Sequence, residues 1–78
     1  MLKFILAEEK ENSVLYKYYP EGGSEFGVVI FDKRSGNGSI EILAGNDRHR
    51  KYALKTLKRI REMAGNGLFE KSGMIAWY

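Results

Sequence analysis

The sequence predicts an α+β fold: an antiparallel sheet of four to five strands with one amphipathic helix packed on one face, in the order β-β-β-β-α-β. The first half alternates short runs of β-branched and aromatic residues with turns rich in Gly, Pro and Asn. The second half contains one segment with helical periodicity, followed by an apolar C-terminal run. A length of 78 residues fits one small domain spanning residues 1–78.

Four strands are predicted in the first half because the apolar runs are short and the connections are short. Their predicted bounds are residues 2–7, 14–19, 26–32 and 39–44. The loop PEGGSE contains one proline and two glycines, and KRSGNG offers Gly36 and Asn37-Gly38 for a hairpin turn. Short connections between successive strands favour an antiparallel meander.

One helix follows, because Ala53, Leu57, Ile60 and Ala64 recur at spacings that place them on one helical face. Asn46 or Asp47 is the expected N-cap, and Gly65 is the expected C-terminal cap. The closing run MIAWY, residues 74–78, is predicted to be a fifth strand.

The positive charge lies in one segment, residues 47–62, which we call the basic segment. It holds seven Lys/Arg residues against Asp47 and Glu62, whereas the whole chain has a net charge of only +3. Two interpretations stay open. The charges form the solvated side of an ordinary helix, or they bind an anionic partner such as nucleic acid. In the second case the contacts would be sequence-tolerant and would use Arg48, Lys51, Lys55, Lys58 and Arg59.

Strand alternation divides the sheet into two faces, and both are apolar. One helix covers only one face, and monomers rarely leave a large apolar patch in water. The other face is therefore expected to pair with a second copy, to bind another protein or to stack on unpaired bases, unless the twist of the sheet and the connector over residues 67–73 cover it. The expected covered face holds Phe4, Leu6, Val14, Tyr16, Tyr18, Phe26, Val28, Ile30, Ile40 and Ile42. The expected partner face holds Leu15, Tyr19, Val29, Phe31 and Trp77, with Ile5, Lys17 and Leu43.

The residue inventory argues against an enzyme, a metal site or a cofactor site. The chain has no cysteine and one histidine, His49, and its carboxylates are scattered without a catalytic motif. The glycine-rich loops lack the spacing of a phosphate-binding loop. No signal peptide and no membrane-spanning run is recognisable, so a cytoplasmic protein is expected.

Two resemblances add to these expectations. The segments YYPEG, FGVVIFDK, AGNDRHRKYALKTLKRI and GMIAWY resemble a group of small uncharacterised bacterial proteins of Clostridia-like Firmicutes and their mobile elements, which implies no established activity. Four antiparallel strands followed by a helix also look like the dimeric single-stranded-DNA-binding coactivator fold. There the strands grip nucleic acid and the helices build the dimer, but the terminal MIAWY strand departs from that pattern.

Two functional hypotheses follow. In the first, the protein is a non-enzymatic interaction module that forms a homodimer, or binds another protein, through the partner face. In the second, it is a sequence-tolerant nucleic-acid-binding protein that uses the basic segment, with Tyr19 and Phe31 stacking on unpaired bases.

Overall fold

The protein is described from a computed structural model covering residues 1–76. The α+β prediction is confirmed, because five antiparallel strands and one helix follow one another in the expected order. The elements are β1 (Leu2–Glu9), β2 (Ser13–Pro20), β3 (Gly27–Asp32), β4 (Gly38–Ile42), α1 (Lys51–Asn66) and β5 (Ser72–Ile75).

The strands lie in the spatial order β4-β3-β2-β1-β5. The first four strands form the expected meander, and β5 pairs antiparallel with β1 on the far side. The fifth strand was predicted over residues 74–78, but β5 begins earlier, at Ser72. The last two residues of the predicted strand lie outside the described part of the chain. Because β5 occupies one edge, β4 forms the other edge.

The helix packs on one face of the sheet, chiefly against β3 and also against β2 and β4. Its buried residues include Ala53, Leu57 and Ile60, as the periodicity predicted, while Ala64 packs at the margin. The sheet residues of this core are Leu2, Phe4, Val14, Tyr16, Tyr18, Val29 and Phe31.

Three strand glycines make room for large side chains on the helix side of the sheet. A methyl group at Gly27 would overlap the Tyr18 ring, and one at Gly38 would lie 2.5 Å from a Leu57 methyl carbon. A methyl group at Gly73 would lie 2.5 Å from the Phe4 ring. A strand glycine in this position marks a close approach by a neighbour, here on the core side.

The helix begins later than predicted, at Lys51 rather than near residue 47. Residues before it form turns, and Arg50 has a left-handed backbone with φ of 60°. Asp47 still performs the capping role, because its carboxylate accepts hydrogen bonds from the backbone N–H groups of Tyr52 and Ala53. The helix also ends later, at Asn66, and its C-terminal cap is Gly67 (φ 76°) instead of Gly65.

The predicted sheet faces were wrong for β3 and for Ile42, which a bulge in β4 turns to the open side. Val29 and Phe31 were expected on the partner face, but they are 0% and 1% exposed and belong to the core beneath the helix. The cause is the register: Tyr16 lies opposite Val29 and Val14 lies opposite Phe31, so these residues share the covered face. Their neighbours Val28 and Ile30 consequently point to the other face, together with Phe26 and Ile42.

Candidate partner-binding surfaces

The face of the sheet away from α1, which we call the open sheet face, is predominantly apolar. One row across the sheet runs from Ser39 through Ile30 to Leu15, and the next runs from Ile42 through Val28 and Lys17 to Ile5. Partners in register project to the same side of a sheet, so these side chains form one surface. Its apolar members are Ile5, Leu15, Tyr19, Phe26, Val28, Ile30, Ile42 and Met74.

One corner of the open sheet face is aromatic and cationic. The rings of Tyr19 and Phe26 lie 5.7 Å apart between centroids, tilted by 45°. The Lys17 ammonium lies 4.8 Å from the Phe26 ring centroid, and Lys3 lies opposite Tyr19 on β1. This arrangement keeps the lysine stem against apolar surface while its charge stays near water.

The structure brings only part of the predicted partner face together. Leu15 and Tyr19 lie on the open sheet face, Val29 and Phe31 do not, and Trp77 lies outside the described residues. Sequence reasoning missed Phe26, Val28 and Ile30 as partner-face residues. The sequence signal that was available is Gly27. A glycine in a strand next to the tyrosine-rich β2 indicates that a large ring occupies the space on its side of the sheet, and Val29 and Phe31 project to that same side.

The basic segment does not form one uniform cationic surface. Arg48 precedes the helix in a turn, whereas Lys51, Lys55, Lys58 and Arg59 lie on it. The guanidinium of Arg59 is held by two carboxylates, with Nη2 2.7 Å from Glu70 Oε1 and Nη1 3.7 Å from Glu62 Oε1. Arg59 therefore joins the helix to the segment before β5, and phosphate binding would compete with these two acids.

A second polar contact ties the helix start to the loop after β2. The Tyr52 hydroxyl donates a hydrogen bond to Glu21, whose backbone φ is 55°. This bond and the nearby N-terminal ammonium lower the pKa of the Glu21 carboxyl, and the same bond raises the pKa of Tyr52. Both groups are at the surface, so the contact helps to fix the conformation of the loop but adds little to the stability of the protein.

Inside the protein, Tyr18 and Asp47 form a polar link. The Tyr18 hydroxyl donates to Asp47 Oδ2 at 3.2 Å and accepts from the Ala44 N–H at 3.0 Å. Burial raises the pKa of Tyr18, so the hydroxyl stays protonated and can donate. Across residues 1–76, every buried side-chain nitrogen or oxygen has a hydrogen-bond partner.

The described residues do not assemble a metal centre or a membrane-crossing helix. Within residues 1–76, no three His, Cys, Asp or Glu side chains come close enough to hold an ion together. The helix that the structure describes is not long and apolar enough to cross a bilayer. His49, the single histidine, is exposed in the turn before α1.

Comparison with known proteins finds no matching family model, no similar curated protein and no similar solved structure. The resemblance to small proteins of Clostridia-like Firmicutes therefore stays a prediction.

Proposed function

We propose that this protein is a non-enzymatic interaction module that forms a homodimer through the open sheet face. The observation that carries the proposal is the row formed by Phe26, just before β3, and by Val28 and Ile30 on it, on the side of the sheet that the helix does not cover. Phe26 is 41% exposed, whereas Val28 is 9% exposed because neighbouring side chains cover it. Leu15 and Ile42 extend this row onto the two neighbouring strands. Association of two copies would remove this surface from water, which is favourable at about 25 cal/mol per Å². The cytoplasmic location expected from the sequence stays a prediction.

A second copy is the occupant that suits this face, because the row of Phe26, Val28 and Ile30 carries no charge. In a two-fold dimer the same patch is used by both partners. When the rows of two copies cross, apolar side chains meet apolar side chains. Lys17 lies in the middle of β2, the central strand of the sheet, between Val28 and Ile5. Its ammonium lies 4.8 Å from the Phe26 ring centroid, so its stem lies within the interface and its charge extends toward the margin, where charged groups remain hydrated.

The size of the face sets the expected strength of the dimer. Five strands at about 4.8 Å spacing and roughly 20 Å length give a surface of about 400–500 Å² per copy. Two such surfaces bury about 800–1,000 Å² in total, at the weak and transient end of specific interfaces. The dimer should therefore be in a concentration-dependent equilibrium with the monomer and should dissociate on dilution.

The test is the solution mass measured by light scattering on a sizing column over a range of protein concentrations. We expect the wild type to approach the dimer mass at high concentration, and Ile30→Lys to stay monomeric. Ile42→Glu is a second variant whose folding is safe, because Ile42 is 53% exposed. The matched control is Leu68→Glu, at a side chain that is 67% exposed and lies outside the sheet.

Two outcomes would overturn the proposal: a wild type that is monomeric at every concentration, or a dimer that survives both sheet variants. Phe31→Asp is unsuitable as an interface variant, because Phe31 is buried beneath the helix and its replacement would unfold the protein. Circular dichroism of each variant separates loss of association from loss of folding.

Sequence-tolerant binding of single-stranded nucleic acid is the second candidate, and the Tyr19–Phe26 pair beside Lys17 favours the open sheet face as its site. Aromatic rings stack on unpaired bases, and neighbouring cations make such binding salt-dependent. Oligothymidine titrated at low and high salt tests it. Sheet binding should weaken in Lys3→Glu plus Lys17→Glu, and binding by the basic segment should weaken in Arg48→Glu plus Lys58→Glu.

A further inference from the structure

The edge strand β4 and the helix enclose a groove that is separate from the open sheet face. We call it the β4–α1 groove; it encloses about 510 Å³ and is lined by Ile40 and Leu43 on one side and Arg50, Leu54 and Leu57 on the other. Leu43 and Leu54 are 41% and 57% exposed. The open sheet face projects from the other side of the sheet, so the proposed dimer leaves this groove accessible.

One wall of the groove is a strand with an unpaired edge. In the described structure β4 pairs only with β3, so every second residue of β4 directs its backbone N–H and C=O away from the sheet. Such an edge is a template for another extended chain. Gly38 lets Leu57 pack close to the strand, which brings the helix wall near this edge.

The other wall combines apolar and cationic side chains. Arg50, Leu54, Leu57 and Arg61 follow one another at spacings of four, three and four, so they form one stripe along the flank of the helix. Among the residues that line the groove itself, Glu41 is the one acidic side chain. Arg61 lies on the same flank beyond the residues that line the groove, so the excess of positive charge belongs to the helix side, where Arg50 and Arg61 flank the leucines. This side favours apolar side chains accompanied by negative charge.

We propose that the β4–α1 groove binds an extended segment of a partner protein in which apolar and acidic residues alternate. The segment adds to the sheet as a strand beside β4. Its apolar side chains contact Leu43, Leu54 and Leu57, and its acidic side chains pair with Arg50 and Arg61. Backbone pairing supplies affinity and the alternate side chains supply specificity, as in other strand-addition complexes.

A second copy of this chain suits the groove poorly. Pairing β4 with β4 of another copy would place both helices on one side of a continuous sheet, with their Arg50–Arg61 stripes facing each other. Like charges at close range are unfavourable. The bulge in β4 between Ile40 and Ile42 twists the edge and restricts any added strand, from a partner or from a second copy, to a short one.

The experiment pans a displayed library of random ten-residue peptides against the full chain and measures the affinity of the enriched peptides. We expect enriched sequences to alternate apolar and acidic residues without internal proline. In ¹⁵N-labelled protein they should shift the amide resonances of β4 and of the helix flank. Affinity should fall by about tenfold or more in Leu54→Glu and in Arg61→Glu, and by less than about twofold in the control Leu68→Glu.

Three results would overturn the inference: no enrichment, binding unchanged by Leu54→Glu and Arg61→Glu, or resonance shifts confined to the open sheet face. Amide spectra of each unbound variant establish that its fold is intact. Since Ile42→Glu and Ile30→Lys test dimerisation on the opposite side of the sheet, failure of one proposal is distinguishable from failure of the other.

Discussion

The carboxylate of Asp47 joins the start of the helix to the sheet. It is 1% exposed and accepts hydrogen bonds from Tyr52 N–H (3.1 Å), Ala53 N–H (2.9 Å) and the Tyr18 hydroxyl (3.2 Å). These bonds satisfy two of the backbone donors that every helix start leaves unpaired. They also fix the turn over residues 47–50, whose backbone reaches a left-handed conformation at Arg50. One side chain thus sets both where the helix begins and how it enters the sheet.

Replacement of Asp47 should lower the free energy of unfolding more than most single replacements of a charged residue. Asp47→Ala leaves two helix N–H groups and a buried hydroxyl without an acceptor, and we expect a loss of about 2–4 kcal/mol in the free energy of unfolding. Asp47→Asn keeps one acceptor oxygen and should lose about half as much. Urea denaturation measures both.

The matched control for Asp47 is Asp32→Ala. Asp32 also accepts backbone N–H bonds, from Arg34 and Ser35, but in an exposed turn. Its loss should cost about 1 kcal/mol or less, because water replaces the missing acceptor. Equal losses for the two aspartates would contradict the role assigned to burial at Asp47.

At the scale of the elements, the alternating and helical patterns predicted which segments fold, but not which side of β3 faces the helix. In FGVVIFD both sets of alternate residues are apolar. Alternation alone therefore could not decide whether Val29 and Phe31 or Val28 and Ile30 face the helix. The register with β2 decides it, and register depends on pairing between strands. Leu15 and Tyr19 lie on the side of the sheet on which alternation placed them, because β2 alternates clearly between buried and half-buried side chains. Their role as partner-binding residues stays a prediction.

The helix start was displaced by about one turn, and the C-terminal cap by two residues, for a similar reason. Capping residues mark a helix start in the sequence, but Asp47 caps from a turn that precedes Lys51 instead of from the adjoining position. The shorter ion pair of Arg59 is made with Glu70, which lies beyond the helix in sequence. Periodicity within a segment carries no information about such contacts.

A pair of glycine substitutions tests this account of the elements. Gly27→Ala places a methyl group against the Tyr18 ring and 2.5 Å from the Ile42 carbonyl oxygen, so it should destabilise the protein by about 2 kcal/mol or more. Gly65→Ala adds a methyl group in the last turn of α1 with no atom within 4 Å, and it should stabilise by about 0.5–1 kcal/mol.

Thermal denaturation of the two glycine variants shows directly whether each substitution raises or lowers the stability of the protein. A Gly27→Ala protein as stable as the wild type would mean that the Tyr18 ring does not occupy the space above Gly27. The face assignment of β3, on which the proposed dimer depends, would then need revision.

At the scale of the whole molecule, Tyr16 connects the centre of the sheet to the segment that leads into β5. Its hydroxyl donates to the Glu70 carbonyl oxygen at 2.5 Å and approaches the Met63 sulfur at 3.4 Å. Glu70 in turn pairs with Arg59 on the helix, so sheet, helix and connector meet around this hydroxyl. Burial, reinforced by the charge of Glu70, raises the pKa of Tyr16 from 10.0 to about 12.

This raised pKa predicts how the stability of the molecule depends on alkaline pH. The fold favours the protonated phenol, so the contribution of Tyr16 is fully present below about pH 10 and is lost as the pH rises through about 12. In Tyr16→Phe we expect a free energy of unfolding about 1 kcal/mol lower at neutral pH. Comparison of the two proteins cancels the titration of lysines and of the other tyrosines. The difference in the free energy of unfolding between the wild type and Tyr16→Phe should therefore narrow steadily above about pH 10. A difference that stays constant up to about pH 12 would mean that the hydroxyl ionises as readily in the folded protein as in the unfolded chain, and that it does not hold the three parts together.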